Sequence, residues 1–102
     1  MSAWFIVRAQ LVDPSVKDAF DRWYRDEHLP EAVRDFKAQR GWRGWSALDP
    51  MVHYAYYEFE TLEQAKAVPG SGAIQRLIAE FDRAWGDKVA RTRDIVELAQ
   101  ST

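Results

Sequence analysis

At 102 residues, with 47% apolar and 29% charged content, the chain is expected to form one globular domain, residues 1–102, around a single modest core. A net charge of −2 argues against a nucleic-acid partner, which needs a basic face. The absence of cysteine removes disulfides, thiol catalysis and thiolate metal sites.

The opening residues, Met-Ser-Ala-Trp-Phe-Ile-Val-Arg, carry no basic n-region and too short an apolar run for a signal peptide. No stretch approaches the length of a membrane span. A cytoplasmic protein with no membrane partner is expected. Five Trp in so short a chain point to a pocket or a partner surface without choosing between them.

In chain order, Trp4 to Val12 reads as a strand, rich in β-branched and aromatic residues and stopped by Asp13-Pro14. Phe5, Val7, Ala9 and Leu11 share its better core face. Asp13 is a plausible N-cap with Pro14 at the first helical position. Val16, Phe20, Trp23, Tyr24 and Glu27 then recur at helical spacing, which predicts a helix from Pro14 to His28. Pro30 disfavours helical geometry at Leu29, so that helix is expected to end near His28. A second short helix, Pro30 to Ala38, is expected to stop at Gly41.

Trp42 to Leu48 reads as a weaker strand, loosened by Gly44, and Asp49-Pro50 as a turn. Val52 to Glu60 is a strong strand with His53, Ala55, Tyr57 and Phe59 on one face and Val52, Tyr54, Tyr56 and Glu58 on the other. The two should pair as a hairpin. Thr61 with Gln64 has the form of a capping box before a short helix, Leu62 to Val68. Ser71 caps the next helix, where Ile74, Leu77, Ile78, Phe81 and Trp85 form one apolar stripe and Gly86 is the stop. Val89 to Ala99 closes the chain as a strand.

The order β-α-β-β-α-β predicts an α+β, ferredoxin-like fold: a four-stranded antiparallel sheet with its helices on one face. Trp4, Ile6, Tyr54, Tyr56, Val96 and Leu98 can then share the uncovered face. That much apolar area is a poor neighbour for water, and a second copy of the sheet would cover it, so a homodimer is expected.

Chemistry concentrates in Trp23-Tyr24-Arg25-Asp26-Glu27-His28-Leu29-Pro30. Histidine exchanges protons near neutrality, and a helix C-terminus favours its cation. Asp26 or Glu27 can orient the ring. His28 is therefore either a general acid–base in a pocket or a helix-end residue that donates to a carbonyl. Trp23 and Tyr24 either line a ligand pocket or fill the core with wet tips. His53, near a strand start, reads as a surface or turn histidine. Arg8 is expected to pair with Glu58 or Asp94, across the sheet or across the dimer, with contact to an anionic ligand as the alternative. Two distant histidines make no recognisable metal spacing.

With these residues in view, the chain resembles the dimeric α/β-barrel superfamily, in particular its EthD-like, cofactor-free branch. The likeness spans nearly the whole element order. It is sharpest at Phe20 to Pro30, where an aromatic pair is followed by an acidic-His-apolar-Pro run, and weaker at Gly41-Trp42. The resemblance implies two ferredoxin-like subunits paired through their sheets into a barrel. It also implies a small aromatic or lactone-like ligand held between sheet and helices.

Members of that superfamily include cofactor-free monooxygenases, lactone isomerases, polyketide cyclases and haem-binding enzymes. The haem-degrading branch uses an Asn-Trp-His set, and this chain has no asparagine, so no cofactor is expected. What the resemblance implies is a small isomerase, cyclase or monooxygenase acting by proton transfer. His28 and Tyr24 would be catalytic, and Trp23, Phe20, Glu27 and Tyr57 would contact the ligand. The alternatives are a non-catalytic, ligand-binding or stress-related homodimer and a purely structural dimerisation module.

Overall fold

The computed structural model describes residues 2–102. Strand β1 (Ala3–Leu11) leads through a 3-10 turn (Pro14–Val16) into α1 (Lys17–Trp23), a wide π turn (Tyr24–His28) and α2 (Leu29–Phe36). Strands β2 (Arg40–Trp45) and β3 (Val52–Phe59) form the hairpin; α3 (Leu62–Ala67), α4 (Gly72–Trp85) and β4 (Val89–Glu97) complete the chain. The sheet order is β2-β3-β1-β4 with every pair antiparallel. This is the ferredoxin-like α+β fold expected from the element order.

Strand alternation sets the two sheet faces. Phe5, Val7 and Ala9 of β1 lie opposite Tyr57, Ala55 and His53 of β3, and all six are buried beneath the helices. The same face receives Gly41, Arg43 and Trp45 from β2, and Arg91, Arg93 and Ile95 from β4. The open face carries Trp4, Ile6, Arg8, Tyr54, Tyr56, Trp42 and Val96. Phe20, with no exposed surface, is the hub of the helical layer, its ring within 6.4 Å of Trp23, Tyr24, Trp45, His53, Phe81 and Trp85. Burial of a ring this size contributes about 2–3 kcal/mol.

The capping signals act where they were read. Asp13 Oδ1 accepts from the Ser15 N–H at 2.9 Å. Thr61 and Gln64 make both bonds of a capping box, and Ser71 Oγ accepts from the Ile74 N–H. Gly86, at φ 55°, ends α4.

Three features depart from the expectation. The first helix does not stop at His28, and the chain stays helical from Lys17 through Phe36. A proline inside an α-helix clashes with the carbonyl four residues back. Here the turn before Pro30 widens instead, and the Leu29 N–H bonds the Tyr24 carbonyl five residues back. The second helix ends at Lys37, the one non-glycine residue with positive φ (58°) among the described residues, not at Gly41. Gly41 belongs to β2, where it faces α2.

A methyl carbon on Gly41 would lie 2.6 Å from Val33 Cγ2 and 3.2 Å from Leu29 Cδ1. Val33 is β-branched and stiff at χ1, so it cannot turn aside cheaply. Gly41→Val is therefore expected to destabilise the fold by about 1–3 kcal/mol in urea unfolding. An unchanged midpoint would mean that α2 is free to lift off β2.

Candidate functional site

The wide turn organises the candidate site. Because its hydrogen bonds span five residues, side chains five apart come together. The His28 ring lies flat on Trp23, with centroids 4.4 Å apart and planes 18° apart. Tyr24 meets His28 edge-on at 4.8 Å. His28 is only 8% exposed, and its Nδ1 has no hydrogen-bond partner.

Burial, helped by the nearby Arg91 charge, pushes its pKa from 6.5 down to about 4. The expectation of a helix-end cation is thus reversed. The helix runs on through His28 into α2, and the ring is neutral at pH 7. Neither acid orients it. Asp26 pairs with Arg25 at 2.8 Å on the surface, and Glu27 is exposed.

Beneath the helices, His28, Tyr24 and Tyr57 share one wall of a cleft closed by Phe5, Phe81 and Leu77, with Arg91 and Arg93 at its β4 side. The two phenols both line the cleft and are almost wholly buried. Burial raises both; Tyr24 reaches about 12 and Tyr57 lies well above its ordinary value. Both are protonated donors at neutral pH. The free interior of the cleft is about 20 Å³, room for a water molecule and little more.

A second groove of about 330 Å³ runs outside, between the wide turn, α2 and α4. It is lined by Trp23, Glu27, Glu31, Glu80 and Arg83 and reaches the other side of His28. Of the six residues expected to form the site, the structure brings Tyr24, His28 and Tyr57 together in the cleft. Trp23 and Glu27 face the outer groove, and Phe20 lies behind the cleft as core.

His53 is not a surface histidine. It has no exposed surface and touches Tyr24 (4.4 Å), Trp45 (5.0 Å) and Phe20 (5.3 Å). Burial and the Arg43 charge lower its pKa to about 4. Arg43 Nη1 lies 3.3 Å from His53 Nε2 and 2.8 Å from Asp21 Oδ1. A guanidinium only donates, so His53 Nε2 accepts and its proton sits on Nδ1, which has no partner. Trp45 Nε1 donates to the same Asp21 oxygen at 2.9 Å. These two bonds hold the Asp21 carboxyl below its ordinary range.

Within the chain Arg8 makes neither expected ion pair. Glu58 accepts from Arg40 at 3.1 Å, while Arg8 lies opposite Tyr54 and Thr92. Sequence reasoning assigned His53 to the surface or a turn and gave Arg91 and Arg93 no role. Strand parity already put His53 on the Tyr57 face. The β4 arginines shared a face with Ile95, the one signal that they belong to the helix-facing side of the sheet.

No cluster of three or more His, Asp or Glu placed to hold a metal occurs among the described residues. None of the helices there is long and apolar enough to cross a membrane.

No protein-family model matches the sequence, and no curated protein matches it. Solved structures do match in fold. An EthD family protein from Bacillus halodurans C-125 is 16% identical, with 96% of this chain and 99% of that one covered at a TM-score of 0.72. HapK from Hahella chejuensis is 17% identical, with 100% and 96% covered at 0.71. SnoaB, a cofactor-independent oxygenase from Streptomyces nogalater, is 10% identical, with 98% and 95% covered at 0.65. The chain thus has the ferredoxin-like fold of EthD and cofactor-independent oxygenase structures, the fold its resemblance implied.

Proposed function

We propose that this protein is a cofactor-free enzyme of the monooxygenase, isomerase or cyclase type, acting on a small aromatic or polyketide-like compound by proton transfer at His28. The observation that carries this reading is the His28 imidazole: neutral, buried and unpartnered at Nδ1 in the wall of the cleft. A buried polar nitrogen left unpaired costs about 1–3 kcal/mol, a cost that recurs where a protein reserves a group for a ligand. The neutral ring is a base; the Tyr24 phenol beside it is a donor for the oxyanion that forms when substrate loses its proton. SnoaB is described as a cofactor-independent oxygenase, and its fold supports the reading.

The protein is proposed to act as a homodimer through the open sheet face. Tyr54 and Tyr56 stack there at 6.1 Å, and Trp42 and Val96 remain 39% and 40% exposed. A second copy of the sheet would remove these rings from water.

The narrow interior favours a second reading, a dimer that keeps the fold without chemistry, since an aromatic ring enters only if the cleft widens. One experiment separates the two. The protein is purified in chelator and mixed with a panel of phenols, anthrones and enol-lactones, following absorbance and dissolved oxygen, with native mass spectrometry on the same sample. Turnover without added cofactor, by a dimer, is the expected result. A dimer that neither turns over nor binds any member of the panel overturns the enzymatic reading and leaves the structural one.

A further inference from the structure

The helix-facing side of the sheet is apolar or aromatic along β1 and along most of β3. On β4 it changes character. Arg91 and Arg93, opposite Ala9 and Val7, place two guanidiniums against the cleft. Positions two apart on a strand lie about 7 Å from each other on the same face.

Arg91 is well covered. Its side chain is 14% exposed, its guanidinium lies 3.8 Å from the Phe81 ring centroid, and it donates to Asp82 Oδ1 at 2.6 Å. Arg93 is exposed and has no ion pair among the described residues. The nearest acid in sequence, Asp94, belongs to the opposite sheet face and accepts from the Ile95 N–H.

No carboxylate lines the cleft. Its histidine and two phenols are uncharged at neutral pH. The site therefore carries one compensated and one uncompensated positive charge against aromatic walls. Such an arrangement is complementary to a ring bearing an anionic group.

We propose that the cleft takes an aromatic acid, its carboxylate or phenolate seated on Arg93 and Arg91 and its ring directed toward Tyr57 and Phe36. The inference rests on the reading above only in using the same cleft as the ligand site. It narrows the substrate class from aromatic compounds in general to those ionised at neutral pH. Phe36 and Ile78 are only half-buried, and Arg93 is exposed. These rim side chains are the ones that must move for the interior to admit a ring.

The test is equilibrium binding, independent of turnover. Naphthoate and its neutral counterpart naphthalenemethanol are titrated into the full-length protein at pH 7, by calorimetry and amide chemical shifts. Wild type is expected to bind naphthoate at least about tenfold more tightly, the worth of one charge-assisted hydrogen bond. Added salt should weaken that preference.

Arg93→Gln is expected to bring the two ligands within about twofold of each other, and Arg93→Lys to retain part of the preference. Arg93 is a surface side chain, so both variants should melt like wild type. Equal affinity in wild type, no binding of either compound, or a preference unchanged in Arg93→Gln overturns the proposal. So does an Arg93→Gln effect confined to dimer dissociation, which would place Arg93 at a subunit contact. Arginine-dependent naphthoate binding by a protein that turns nothing over would sink the enzymatic reading and leave this inference standing. Turnover restricted to neutral compounds would do the reverse.

Discussion

Lowering the pH from 7 to 4 is expected to remove a large part of the stability of this fold, with the loss falling between pH 6.5 and 4. His28 and His53 are both buried, and in the folded protein each takes up a proton only near pH 4 rather than 6.5. Between those values the unfolded chain binds protons that the folded chain refuses. Stability must then fall as pH falls, and it is complete above 6.5. A displacement of this size corresponds to about 3 kcal/mol per histidine, against a total of about 5–15 kcal/mol for a domain.

Asp21 and Asp35, held low by their arginine partners, add to the acid loss only below their ordinary value of 3.8. Glu31, raised by burial and by Glu80, offsets a little of it. Urea unfolding at half-unit pH steps measures the slope. His28→Phe should remove about half of it. A midpoint that stays flat from pH 6.5 to 4.5 would show that the imidazoles are hydrated rather than buried.

Much of the fold is legible because its signals are local and agree with one another. The alternation of β1, the capping box at Thr61 and Gln64, the Ser71 cap and the stop at Gly86 each state a boundary and a face within a few residues. The wide turn at Tyr24–His28 is not legible in that way. Pro30 reads as a breaker, and only the packing of α1 and α2 onto one sheet decides that the helix widens rather than ends.

The site inherits that ambiguity. The motif points at His28, but the ring's charge state follows from burial among Trp23, Tyr24 and Phe81, which come from different elements. Charge was hidden for the same reason. Arg91 and Arg93 look like a solvated edge until their register with Ala9 and Val7 puts both on the helix-facing side of the sheet, with Arg91 covered and Arg93 at the exposed rim. Gly41 shows the converse error, since a glycine after a helix resembles a stop while its actual role is to admit Val33 against the sheet.

His28→Phe is expected to give a protein that is at least as stable as wild type at pH 7 and, on the proposed reading, inactive. The two effects have separate causes. The phenyl ring keeps the stack on Trp23 and the contacts with Tyr24 and Phe81, while the unpartnered Nδ1 disappears from the interior. Replacing an unsatisfied polar atom by an apolar group of similar shape is neutral or stabilising. Loss of a positioned general base lowers turnover by about a hundredfold to ten-thousandfold.

The wild-type pH profile supplies the matching signature. A base with a pKa near 4 stays unprotonated at ordinary assay pH, so kcat/KM should be level from about pH 6 to 9 and fall only on the acid side. A structural histidine predicts a different pattern: His28→Phe with unchanged turnover, or a melting temperature several degrees lower. A stable, inactive phenylalanine variant would instead mean that the unpaired nitrogen costs stability and is kept for its chemistry, the usual trade between a functional group and the core that houses it.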